Sequence, residues 1–126
     1  MLSFSDWSEE EHEEVNGHAL RLLTVIEGNH ETARDLTVDI LPDHYTSPEH
    51  LARIFRKLGK GAVADFLRTK LPTRPSLRSG DLGEIFATEY IDERTEFSAP
   101  VKRLRWRDHR EMAMRGDDVI GMRLPE

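Results

Sequence analysis

The sequence predicts an α+β fold in which helices come first and a β-meander follows. Apolar residues recur at helical spacing from about residue 31 to residue 94, and the period changes to alternation at Val101 to Trp106. Pro42, Pro48, Gly59, Pro72 and Pro100 punctuate the elements. The 126 residues suit one hydrophobic core, with 37% hydrophobic and 33% charged residues. We read residues 1–17 as an acidic lead-in and residues 18–126 as a single α+β domain.

The lead-in holds six acids and no Lys or Arg between residues 6 and 14. Asn16-Gly17 is a turn signal, after which His18 to Ile26 reads as a strand ending near Gly28, a short helix also fitting. Ala33, Leu36 and Ile40 approximate a helical face that Pro42 closes, although Leu36 to Ile40 also alternates like a strand. Ser47 is placed to cap the next helix and Pro48 suits its first position, with Leu51, Ile54, Phe55 and Leu58 as the stripe and Gly59 as the stop. Val63, Phe66, Leu67 and Leu71 continue as a second short helix until Pro72. Ser79 or Asp81 starts a third, with Leu82, Ile85, Phe86 and Tyr90 as its stripe and an end near Arg94. Val101 to Trp106, Glu111 to Arg115 and Asp118 to Arg123 then read as three strands.

Composition removes several function classes. With no cysteine there is no disulfide framework and no thiolate metal site, which suits a reducing cytoplasm. No apolar run approaches about 18 residues and the start is acidic, so neither a membrane span nor a signal peptide is expected. The six histidines show no zinc-binding spacing, and no GxxxxGK[ST], GxGxxG or GxSxG is present. The net charge of −6 argues against indiscriminate binding to nucleic acid, but the two signs are segregated. Residues 102–110 carry Lys102, Arg103, Arg105, Arg107 and Arg110 against Asp108 alone.

The most informative combination is Gly80-Asp-Leu-Gly-Glu84 opening a helix, then the basic segment, then Arg115-Gly-Asp-Asp-Val-Ile120. Ser79 to Phe86, Ala99 to Arg105 and Met114 to Gly121 resemble the corresponding stretches of the nuclease subunit of the Hachiman anti-phage system. The similarity covers roughly residues 48–123 and is strongest from residue 79 onward. The resemblance implies a PD-(D/E)XK nuclease-like domain, with Asp118 as a metal-binding carboxylate and Glu84 as the acid on the preceding helix. It further implies Mg²⁺ or Mn²⁺ as cofactor, DNA as substrate and a separate helicase subunit as partner. Magnesium takes hard oxygen ligands, usually one or two carboxylates with water and phosphate. Lys102, Arg103, Arg105 and Arg107 would contact the nucleic-acid backbone.

One departure counts against activity. The family pattern needs an acid and a Lys, one residue apart, on the strand after the Asp, and no E-x-K follows Asp118. The expectation is a domain truncated before that strand and inactive alone, with an open sheet edge that favours self-association. Simpler roles stand beside these: Asp117-Asp118 as a turn, Glu84 as a first-turn acid favoured by the helix dipole, the basic run as a solvated strand edge, and Trp106 as a core or interface anchor beside Leu104. A helical wheel sets Glu84 away from the expected stripe and Glu89 nearer to it. The rival function is a non-catalytic module that docks a partner through the helices of residues 48–71; a stand-alone DNA-binding protein is a third.

Overall fold

The computed structural model describes residues 1–107, 109–112 and 118–125. The chain divides into two compact units, Met1–Ile40 and Leu41–Glu126.

The first unit is built on a β-hairpin, β1 (Ser8–Val15) and β2 (His18–Val25), paired antiparallel from Ser8↔Val25 to Val15↔His18. Asn16 (φ 51°) and Gly17 (φ 79°) are both left-handed, as a two-residue type I′ turn requires. The acidic lead-in is therefore a strand. Its glutamates are unfavourable in β-structure, but the Asn-Gly turn and the pairing with Ala19 to Val25 outweigh that preference. Before it, a 3₁₀ turn at Phe4–Asp6 buries Phe4 and lets Trp7 lie against it, ring centroids 5.4 Å apart. The Trp7 indole donates to the Leu2 carbonyl at 2.9 Å, so this buried aromatic has its polar atom satisfied. The expected strand at residues 18–26 is β2.

Helix α1 (His30–Tyr45) begins in the first unit, and its last turn belongs to the second. It does not stop at Pro42. Proline lacks the N–H for one helical bond, but its fixed φ is helical, and its carbonyl accepts from the Thr46 amide at 3.0 Å. That extra turn carries His44 and Tyr45, both buried.

In the second unit, α2 (Pro48–Leu58) starts as expected, with the Ser47 hydroxyl accepting from the His50 amide at 3.2 Å and Pro48 in the first turn. Gly59 (φ 87°) separates it from α3 (Lys60–Lys70). The two helices form a hairpin in which His50 meets Phe66 edge-on at 5.0 Å. Helix α4 (Pro75–Arg94) starts earlier than Ser79, because Pro75 fits the first turn of a helix as Pro48 does.

The expected order of helices followed by a β-meander is overturned, although the α+β class stands: the paired sheet is at the start of the chain. Arg103–Trp106 is a 3₁₀ turn, not a strand. With three residues per turn, Leu104 and Trp106 point to different sides, so Leu104 is buried while Trp106 is 64% exposed and anchors no core. Of the expected last strand, one bridge is seen, Ser98↔Met122. The expected strand over residues 111–115 falls mostly outside the described residues, as does Asp117. The sheet edge on which self-association was expected is not formed among the described residues of this unit. No helix among the described residues is long and apolar enough to cross a membrane.

Candidate functional site on the acidic face of α4

Helix α4 buries a face that apolar periodicity does not reveal. Asp81, Ile85, Thr88 and Glu89 are buried and Glu84 is half-buried, whereas Leu82, expected in the stripe, is 37% exposed. Positions 81, 84, 85, 88 and 89 have the spacing of a core-facing stripe, but three of the five are acids. Buried carboxylates are tolerated only when paired, and each of these has its own partner.

Asp81 is held by a fork: Arg107 Nη1 donates to Oδ1 at 2.7 Å and Nη2 to Oδ2 at 2.9 Å. The Tyr45 hydroxyl donates to Oδ2 at 2.6 Å, and the Arg107 guanidinium lies 5.8 Å from the Tyr45 ring centre. Burial pushes the Tyr45 phenol well above its ordinary pKa, and its hydrogen bond to Asp81 adds to the shift. Glu89 Oε1 meets His44 Nε2 at 2.7 Å. This hydrogen bond holds the Glu89 carboxyl below its ordinary value against the effect of burial.

Glu84 accepts from Arg103 Nε at 2.7 Å, and the same guanidinium donates through Nη2 to Asp118 Oδ1 at 3.0 Å. Burial raises the Glu84 carboxyl; Arg103 opposes the shift, while the charges of Asp118 and Asp81 add to it. Lys102 and Arg105 go elsewhere. Both pair with Asp43, Arg105 also donating from Nε to the Asp43 carbonyl at 2.8 Å. Burial alone would raise the Asp43 carboxyl, but Lys102 and Arg105 hold it below its ordinary value.

This pairing accounts for the turn at Arg103–Trp106. An extended strand would send Arg103, Arg105 and Arg107 to one side, but the carboxylates of Arg103 and Arg107, Glu84 and Asp81, are on α4, whereas that of Arg105, Asp43, is on α1. A 3₁₀ turn separates the first two around its axis.

A cleft of about 460 Å³ opens beside this network, lined by Ser76, Leu77, Gly80, Asp81, Gly83, Glu84 and Ala87 of α4 and by Arg103, Leu104, Arg107, Asp118 and Val119. A Cβ placed on Gly80 or Gly83 would meet no atom within 4 Å, so the α4 wall is open there. Of the residues chosen from sequence, Glu84, Asp118, Arg103 and Arg107 line one cleft. Lys102 and Arg105 do not line it; they belong to the Asp43 cluster. Asp118 is the exposed member, its side chain 80% accessible. Asp43, His44, Tyr45 and Asp81 were not singled out. The first three lie at or beyond Pro42, the expected end of the helix, and Asp81 reads from sequence only as a helix start. Acids at helical spacing opposite a run of arginines were the available signal.

The donor set is compatible with a hard divalent cation. Glu84 and Asp118 converge on one positively charged group, and Mg²⁺ commonly takes one or two carboxylates with water and phosphate filling the other positions. Among the described residues, no three His, Asp or Glu side chains gather around a single point.

No curated protein matches the chain. The profile of the HamA family matches residues 1–126, a span that includes both units and the whole α4 network. The chain belongs to the HamA family and is a component of the Hachiman anti-phage system.

Proposed function

We propose that residues 1–126 supply part of a metal-dependent DNA nuclease effector, with Glu84 and Asp118 as the carboxylates that hold Mg²⁺ or Mn²⁺. The observation that supports this most directly is their convergence, from α4 and from a segment 34 positions later, on the single Arg103 guanidinium at 2.7 and 3.0 Å. A bound Mg²⁺ or Mn²⁺ would supply Lewis acidity to the phosphate and lower the pKa of an attacking water. Arg103 lines the same cleft and would orient a phosphate there, whereas Arg107, its fork engaged by Asp81 beside Tyr45, would hold the cleft wall in shape. Lys102 and Arg105, beside Asp43, would contact the nucleic-acid backbone away from the cleft. In this reading cleavage requires, beside Glu84 and Asp118, the acid and Lys of an E-x-K element. The partner in this reading is a separate helicase subunit.

The test is plasmid cleavage with Mn²⁺ by this chain and by a version extended through the downstream coding sequence, each beside an Asp118→Ala control. Cleavage by the extended protein alone, abolished in its control, is the expected result. Cleavage that survives Asp118→Ala would remove Asp118 from the site.

A second reading draws on α2, where Phe55 and Leu58 are 56% and 74% exposed. That apolar surface suits a non-catalytic module docking a partner through the helices of residues 48–71. Such a module would be indifferent to Mn²⁺, whereas the nuclease reading requires Mn²⁺ to bind.

A further inference from the structure

Helix α2 and the turn after it carry basic charge that no carboxylate offsets. Residues 48–71 hold six Lys and Arg against two acids, whereas the rest of the second unit holds ten against twelve. The cations singled out from sequence are engaged: Lys102 and Arg105 with Asp43, Arg103 with Glu84 and Asp118, Arg107 with Asp81. Arg53, Arg56, Lys57 and Lys60 are exposed instead, and among the described residues none of the four makes an ion pair. Arg53, Arg56 and Lys57 are three and four positions apart, so they share one side of α2, away from the half-buried Leu51 and Ile54. Lys60 follows directly beyond Gly59.

Helix stability does not account for this stripe. Like charges at these spacings destabilise a helix. The negative end of the α2 dipole favours Arg56 and Lys57 in the last turn, but Arg53 lies a turn earlier. Lys60 opens α3, where the dipole disfavours a cation and no acid stands in the first turn. Local preferences are broken in this way at functional sites. The hairpin is also rooted at the cleft: the Lys70 carbonyl at the end of α3 accepts at 3.3 Å from Nη2 of Arg107, a cleft residue. His50 against Phe66 keeps α2 antiparallel to α3, so the turn at Gly59 is the far end, about 16 Å from Lys70 along an 11-residue helix. Each DNA strand carries a negative charge about every 3.4 Å of helix axis, so this length spans several phosphates.

We infer that Arg53, Arg56, Lys57 and Lys60 form a track for the sugar–phosphate backbone of DNA, on a hairpin rooted at the cleft, that holds a duplex without reading its sequence. The inference rests on the nuclease reading for the nature of the anion. Such a track neutralises phosphates and releases their counterions, so binding depends on salt and not on base order. It needs no metal. Lys102 and Arg105, whose charge Asp43 already offsets, contribute less.

The experiment is fluorescence anisotropy of a short labelled DNA duplex of arbitrary sequence, in EDTA, with NaCl varied from about 50 to 200 mM, where phosphate contacts weigh heavily. The unmodified chain is compared with a quadruple variant carrying Arg53→Gln, Arg56→Gln, Lys57→Gln and Lys60→Gln. A charge-keeping variant carries Arg53→Lys and Arg56→Lys, and a third carries Lys102→Gln and Arg105→Gln. Glutamine is a good helix former and the four positions are exposed, so the quadruple variant should keep its fold, checked by circular dichroism. Its log–log salt slope should be shallower by about one unit for each phosphate contact removed, up to about four. The charge-keeping variant should retain the slope. No duplex binding by the unmodified chain at the lowest salt, or a quadruple variant with unchanged affinity and slope, would overturn the track. So would an equal or greater loss in the Lys102 and Arg105 variant, which would move the backbone contact to the Asp43 cluster. Poly-glutamate or phosphatidylserine vesicles bound as tightly as the duplex, with the same loss in the quadruple variant, would hand the face to an acidic protein or a membrane surface and overturn its assignment to DNA. Because metal is absent throughout, failure of Mn²⁺-dependent cleavage beside intact duplex binding would sink the nuclease reading alone.

Discussion

Arg107 and Asp81, 26 positions apart, meet through two parallel hydrogen bonds of 2.7 and 2.9 Å, with side chains only 6% and 7% exposed. Removing one partner leaves the other charged and buried. Arg107→Ala should therefore destabilise the second unit by about 3–5 kcal/mol, read as a lower urea midpoint. Replacing both residues by leucine should cost less than the single change, because no unpaired charge remains. A loss below about 1 kcal/mol for Arg107→Ala would place the pair in water, in the range of surface ion pairs.

Tyr45→Phe tests the third member of that cluster. It removes only the hydroxyl that donates to Asp81 at 2.6 Å, so the expected cost is about 1.5–3 kcal/mol, the range for hydrogen bonds to charged groups. Combined with Arg107→Ala, the losses should not add, since both residues act on one carboxylate. Strict additivity in the double variant would show that the two contacts are independent.

The stability of the chain should fall in acid, because Asp43, Glu89 and Glu111 are all held below their ordinary pKa values. Glu89 is held below its ordinary pKa of 4.5 by its hydrogen bond to His44, and Glu111 is held down to about 2, first by the Thr73 hydroxyl and then by the Thr73 amide. A carboxyl whose folded pKa is depressed contributes stability that is complete above its unfolded value and is lost as pH falls through the folded one. The window therefore begins near pH 4.5 and, for Glu111, extends to about pH 2. Melting temperature followed between pH 6 and pH 2.5 should decline, and Glu89→Gln or Glu111→Gln should each flatten part of the curve. A Glu89→Gln profile parallel to that of the unmodified protein would exclude the His44 contact as a source of the pH dependence.

Gly17 tests the hairpin. At φ 79° an alanine has open space around its Cβ but adopts a left-handed backbone, which costs about 1–2 kcal/mol. Gly17→Ala should lower the stability of the first unit by that amount. Trp7 is buried and Trp106 exposed, so fluorescence in a Trp106→Phe background follows the first unit through Trp7. An unchanged transition would mean that the turn is not left-handed in solution.

Local chemistry was enough where neighbours in sequence satisfy one another. Ser47-Pro48 and Gly59 delimit α2 because a cap, a missing N–H and a left-handed residue act within one or two turns. Asn16-Gly17 marks the hairpin for the same reason, and residues 79–121 carry the family resemblance that the match over the whole chain supports at the level of the HamA family. Tertiary structure decided the rest. Glutamates 9 to 14 are in a strand because β2 pairs with them, and α1 passes Pro42 to bury His44 and Tyr45. The inward face of α4 was legible only at Ile85 and, from the helical wheel, near Glu89; Asp81 and Glu84 were not read as inward, because an acid is recognisable as buried only when its partner is known. Those partners, Arg103 for Glu84, Arg107 for Asp81 and His44 for Glu89, lie 19, 26 and 45 positions away. The same long-range pairing turned an alternating segment into a 3₁₀ turn, because charges that leave water must each find a counter-charge, wherever the chain places it.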